Sequence, residues 1–122
     1  MEILRGNRAV IAQREATLDA IATTWITAAE LAFGAAKSLH PERNQNRVIA
    51  FLHSLPVIEM NMLAAERFGA IKAQLERSGQ LIADADLWIA SISLVHGAVL
   101  VTGNRRHYER VAGLMLENWI PR

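Results

Sequence analysis

The sequence predicts an α/β layer fold, a mostly parallel sheet flanked by helices. Two observations carry this. Short apolar runs (AIATTWI, PVIEM, AVLVT, LMLENW) alternate with longer amphipathic stretches, the pattern of helices packed on parallel strands. Hydrophobic residues make up 52% and charged residues 20% of the 122 positions, enough apolar material for one sizeable core. No repeat, low-complexity segment or linker interrupts the chain, so residues 1–122 are expected to form a single domain.

Each element has a local reason. Residues 7–18 (NRAVIAQREATL) predict a short helix, and residues 20–26, with their β-branched enrichment, a buried strand. Thr27 followed by Glu30 is a capping-box pattern, and the small residues after it suit close packing on a neighbour. Pro41 stands in a helix-opening position, and Val48, Phe51, Leu52 and Leu55 then share one stripe. PVIEM is the second strand candidate. Asn61 is a favourable N-cap for a helix with the stripe Ala64, Phe68, Ile71 and Leu75, ending at Gly79. The next helix runs from Asp84 to His96 and stops at Gly97; it is apolar almost all round, hence mostly buried. AVLVT follows as a strand, RRHYERV as a polar turn or short helix, and LMLENW as the last strand.

Composition narrows the function classes. A formal net charge of +1 is too balanced to diagnose nucleic-acid binding, so any basic footprint has to be local. The absence of cysteine excludes disulfides and thiolate metal sites and fits a reducing cytoplasm. No apolar run reaches the ~18 residues of a membrane span, and no signal-peptide pattern opens the chain, so a cytoplasmic, soluble domain is expected. His40, His53, His96 and His107 show no paired ligand spacing for zinc. GxSxG, Walker and GxGxxG motifs are also missing, which leaves nucleophilic hydrolases, P-loop enzymes and dinucleotide binders without support.

In a parallel sheet, ligands sit beyond the carboxyl ends of the strands, where the loops WITAAE and TGNRRH are expected. The acids nearby have two readings. Glu30 completes a capping box, Asp84 is an N-cap and Asp86 complements the helix dipole; or these carboxylates face a metal ion. Asp86 leads a helix that is otherwise apolar, with small Ala90 and Ser93 along its side, and the nearby sequence offers it no obvious partner. Arg105, Arg106, His107 and Arg110 form the one basic cluster, either a solvated turn or a set of phosphate contacts. Trp25, Trp88 and Trp119 are expected to pack in the core or at a sheet edge rather than stack on bases.

Taken in order, TAAELAFGAAKS, DADLWIASISLVHGAVLVTGN and HYERVAGLMLENW closely resemble the VapC-like PIN-domain ribonucleases, the toxins of bacterial toxin–antitoxin pairs. The resemblance implies a three-layer PIN-like fold in which acidic residues gather around Mg²⁺ or Mn²⁺ to cleave single-stranded RNA. It implies a cognate antitoxin and a homodimer as further partners. By position, Glu30 matches the glutamate of the family's AELxxG pattern and Asp86 the aspartate of its DxxIA pattern; both would hold the metal. Asp84 matches a frequent acid just before, Asn104 falls where the family has Asp or Asn, and Arg105 and Arg106 would position RNA. Such a donor set suits a hard cation that keeps several waters.

Two departures stand out. Family members open with a short, central strand ending in an Asp-Thr-Asn type motif whose aspartate is a principal ligand, whereas EILRGN at residues 2–7 resembles the end of the helix after it. The chain is therefore expected to be truncated at its N-terminus relative to the family, with the first strand missing, unless rearrangement or a partner chain fills the gap. Position 107, often acidic in the family, is histidine. The active toxin remains the expected reading; the missing aspartate is the feature that favours the runner-up, a catalytically silent PIN remnant serving as an antitoxin-binding or dimerisation module.

Overall fold

The computed structural model describes residues 21–118, in two compact units divided between Glu59 and Met60. In the first, β1 (Thr23–Thr24) pairs in parallel with β2 (Val57–Ile58), Thr23 opposite Val57 and Thr24 opposite Ile58. The Thr23 N–H donates to the Pro56 carbonyl at 3.0 Å. Parallel neighbours need a long crossover, which here is α1 (Trp25–Ala36) followed by α2 (Pro41–His53). Ile26, Ala35, Val48 and Phe51 are the buried apolar residues of these helices.

The first helix begins at a different threonine from the one its sequence suggests. Thr24, in extended backbone, is the N-cap, and its Oγ1 accepts the Thr27 N–H at 3.2 Å. Trp25 and Ile26, β-formers by type, are helical, and the strand shrinks to two residues. The Thr24 cap bond marks the helical start and Ile26 is buried within the helix, a case of tertiary context overriding weak local propensity. Glu30 thus lies in the body of α1 instead of closing a capping box at Thr27, and it is exposed. Pro41 opens α2 as its spacing predicts.

The second unit holds α3 (Met62–Arg77), α4 (Asp84–Val95), β3 (Val99–Val101), α5 (Arg105–Tyr108) and β4 (Met115–Glu117). Asn61 caps α3, its Oδ1 accepting the Ala64 N–H at 2.8 Å. The helix closes at Gly79, whose φ of +67° suits glycine; the Gln80 N–H then reaches back to the Leu75 carbonyl at 2.8 Å. Ala83, not Asp84, is the N-cap of α4; it makes no side-chain cap bond, and Asp84 is the first helical residue. Strands β3 and β4 are parallel, with Leu100 opposite Leu116, and both leucines pack on a core of Leu75, Ile82, Leu87, Ala90, Tyr108 and Val111.

Helix α4 is the centre of this unit. Leu87 and Ala90 are wholly buried, and so is Ser91, whose hydroxyl is satisfied by the Leu87 carbonyl at 2.7 Å. Ser93 likewise donates to Ile89 at 2.8 Å, so the small polar residues leave no open donor in the core. All strand pairings among the described residues are parallel, as the alternating pattern predicts. No helix among them is long and apolar enough to cross a membrane. The predicted helix over residues 7–18 and Trp119 lie outside the described residues.

Candidate functional site

Asp86 sits in the first turn of α4, one turn before the buried Ala90. Its partners come from α5, 22 positions downstream in the case of Tyr108. The Tyr108 hydroxyl donates to Asp86 Oδ1 at 3.1 Å, while the ring is packed in the core with only 4% of the residue exposed. The other carboxylate oxygen, Oδ2, faces His107 Nδ1 at 3.6 Å. The side chains of Asp86 and His107 are 25% and 43% exposed, so one oxygen is anchored inward and the other looks toward solvent.

Asn104 joins the same group. Its Nδ2 lies 3.1 Å from His107 Nδ1, and its backbone N–H donates to Thr102 Oγ1 at 3.0 Å, which fixes the turn after β3. Asp86, Asn104, His107 and Tyr108 therefore form one connected set. Sequence alone showed no partner for Asp86; α5 supplies two, and they were hidden because the pairing is tertiary.

Asp84 belongs elsewhere. Residues two apart on a helix project roughly 200° apart around the axis. Asp84 accordingly pairs with Lys72 of α3 at 3.0 Å. Lys72 also stands over the Phe68 ring, 5.7 Å from its centroid, and Phe68 stacks on Trp88 at 3.8 Å. Trp88 thus packs against another ring, as expected of a structural aromatic.

The basic cluster divides as well. Arg110 Nη1 donates to the Leu81 carbonyl at 3.0 Å and tethers α5 to the loop before α4. Arg105 makes a loose ion pair with Glu109 at 3.9 Å; its Nε is buried without a hydrogen-bond partner, while the side chain as a whole is 42% exposed. Arg106 is exposed.

The donor chemistry fits a hydrated divalent cation. Asp86 and Asn104 offer hard oxygens, and Mg²⁺ needs only one or two carboxylates because it keeps its waters. Among the described residues no group of three or more His, Cys, Asp or Glu could enclose a metal, so an all-protein cage is not what this site offers.

Comparison with known proteins is consistent with this chemistry. A model of the PIN domain matches residues 2–114. Ribonuclease VapC2 of Haemophilus influenzae is 43% identical over 95 residues, 78% of this chain and 72% of that protein. The tRNA(fMet)-specific endonuclease VapC of Salmonella typhimurium is 42% identical over 94 residues, 77% of this chain and 71% of its own. Among solved structures, DNA-bound VapBC from Salmonella typhimurium matches with a TM-score of 0.90 at 35% identity, covering 96% of this chain and 89% of that one. VapBC-1 from nontypeable Haemophilus influenzae matches with a TM-score of 0.87 at 30% identity, covering 96% and 90%.

Proposed function

The chain belongs to the PIN-domain family, and we propose that it is the toxin of a toxin–antitoxin pair, a divalent-metal-dependent endoribonuclease held in check by a cognate antitoxin. The observation that carries this reading is Asp86. Its carboxylate is anchored through one oxygen by Tyr108 and partly open at the other, in a chain similar to ribonucleases over most of its length.

Asp86 is the carboxylate we assign to the cation, Mg²⁺ or Mn²⁺, and Glu30 is a second ligand on the family resemblance alone. When bound, such an ion offsets charge developing on the scissile phosphate and makes a water easier to deprotonate. The remaining roles fall to the chain's own groups. Tyr108 holds the Asp86 carboxylate in one orientation, so no rotamer search precedes binding. Asn104 orients a water or a ligand with its amide. Arg105 and Arg106 contact the RNA backbone, which positions the strand without reading its sequence. Asp84, paired with Lys72, adds negative potential near the mouth of α4.

Single-stranded RNA is the substrate class, and tRNA(fMet), named for the Salmonella relative, is the first RNA to try. The test is cleavage of that RNA by the purified chain with excess Mg²⁺, with EDTA, and with Asp86→Asn. Cleavage that needs the metal and disappears in the variant supports the reading. Metal-independent cleavage, or full activity in Asp86→Asn, overturns it. One observation favours the silent-module alternative: His107 stands beside Asp86 with no negative charge to add. Antitoxin binding without metal-dependent cleavage is the result that would favour it.

A further inference from the structure

We propose that His107 is a nitrogen ligand to the cation held by Asp86, and that this chain therefore selects a first-row transition-metal dication such as Mn²⁺ over Mg²⁺. The inference rests on the proposed function, because it takes Asp86 as a metal ligand.

The geometry comes first. His107 Nδ1 and Asp86 Oδ2 stand 3.6 Å apart, beyond ordinary hydrogen-bond range. Two atoms each ~2.1 Å from one ion stand roughly 3.0–3.4 Å apart at octahedral to tetrahedral angles. A closure of a few tenths of an ångström, within reach of a small rotation of a half-exposed imidazole, brings the pair to that spacing. Tyr108 makes the arrangement directional. By occupying Oδ1 it leaves Oδ2 as the oxygen turned toward the imidazole.

The neighbouring side chain agrees with a ligand role. Asn104 Nδ2 lies 3.1 Å from His107 Nδ1, and a ring nitrogen that presents its lone pair is the form in which imidazole binds metals. A half-turn of the Asn104 amide exchanges its two ends. The lone pair is then free, and the carbonyl oxygen lies where Nδ2 was, 3.1 Å from Nδ1, as a third donor. The resulting set is carboxylate, imidazole and amide oxygen. Mg²⁺ favours an all-oxygen shell, while imidazole shifts preference toward later divalent metals.

The competing account is a plain ion pair between protonated His107 and Asp86. The two accounts differ in sign. A ligand that is removed weakens metal binding, whereas a competing cation that is removed strengthens it for Mg²⁺ and Mn²⁺ alike.

The experiment uses the full chain with Mn²⁺ as the probe, read by titration calorimetry and by pulsed EPR, which detects nitrogen bound to Mn²⁺. Wild type is expected to show the nitrogen signal. His107→Ala should lose it and bind Mn²⁺ roughly tenfold or more weakly, since even residues behind a ligand cost that much. His107→Glu should bind without the nitrogen signal and move the preference toward Mg²⁺. No nitrogen signal in wild type, or tighter binding of both metals by His107→Ala, overturns the proposal. Asp86→Asn separates the two levels. If it binds Mn²⁺ as wild type does, the proposed function itself fails; if it loses binding while wild type shows no nitrogen, only the role of His107 fails.

Discussion

The hydroxyl of Tyr108 donates a 3.1 Å hydrogen bond to Oδ1 of Asp86, joining the short helix α5 to the first turn of the buried helix α4. The bond spends a core aromatic on one carboxylate orientation. Removing it leaves the carboxylate charged and present but free to turn. Tyr108→Phe should therefore lower stability by about 1 kcal/mol, below the roughly 1.5–3 kcal/mol of a bond to a charged group because the carboxylate is partly exposed to solvent. Nuclease activity should fall in this variant and survive, whereas Asp86→Asn abolishes it. Urea unfolding and RNA cleavage, measured on both variants, check the pair; equal loss in the two would mean that Tyr108 does more than orient.

Arg105 and Arg110 lie five positions apart in one basic cluster, yet their surroundings predict different defects. The Arg105 side chain is 42% exposed and makes a loose 3.9 Å ion pair, so its guanidinium end is available to phosphate. Arg105→Ala should weaken RNA binding and reduce the salt-dependence slope by about one. Arg110 is committed to the carbonyls of Leu81 and Gln80. Arg110→Ala should lower the melting temperature and leave the salt slope of RNA binding almost unchanged. Filter binding over a range of salt concentrations distinguishes them, and an unchanged slope for Arg105→Ala removes it from the RNA contacts.

Leu87 is fully buried one residue after Asp86, which couples the site to the core. Leu87→Ala should destabilise the protein by about 2–5 kcal/mol, the cost of lost transfer energy plus a cavity. Because α4 also carries Asp86, activity should fall more steeply with temperature in this variant than in wild type. Denaturant unfolding and a temperature series of cleavage rates would show this. A loss below about 1 kcal/mol would mean that the site collapses around the smaller side chain.

These contrasts also show what a reader of the sequence could and could not reach. Asn61 and Gly79 bracket α3 because a side-chain acceptor and a positive-φ residue act within a few positions, and local chemistry of that kind is visible in a string of letters. The start of α1 was not, since Thr24 and Thr27 are both good caps and the local sequence does not decide between them. The same holds at the site. Asp86 and Asn104 could be named from motif and position. The bond from Tyr108 could not, because it spans 22 positions and depends on how α5 packs on α4. Nor could the turning of Asp84 toward Lys72, which needs the placement of α3 beside α4.

Glu30 offers a test that needs no assumption about α5. If Glu30 and Asp86 hold the same ion, their contributions to its affinity are coupled and not additive. Glu30→Gln and Asp86→Asn should each weaken Mn²⁺ binding, and the double variant should lose less than the two single losses added together. Calorimetric titration of the four proteins gives the cycle. Strict additivity would assign the two carboxylates to separate ions or remove Glu30 from the metal altogether.

Asp84 and Asp86 are two positions apart, and the last prediction is that their charges are not equivalent. Asp84 faces Lys72 across an exposed ion pair, with side chains 39% and 60% exposed for Lys72 and Asp84. Exposed pairs of this kind contribute about 0–1 kcal/mol and are screened by salt. Asp84→Asn should therefore cost little stability and lower cleavage modestly, through the local potential it supplies, with an effect that fades as salt rises. Asp86→Asn removes a charge aimed at the cation, a loss that salt cannot mask because the hard ion needs the ligand itself. Cleavage rates of both variants at low and high salt, with Mg²⁺ saturating for wild type, provide the comparison. If Asp84→Asn proves as inactive as Asp86→Asn at every salt concentration, Asp84 must leave Lys72 and bind the ion directly when substrate is present.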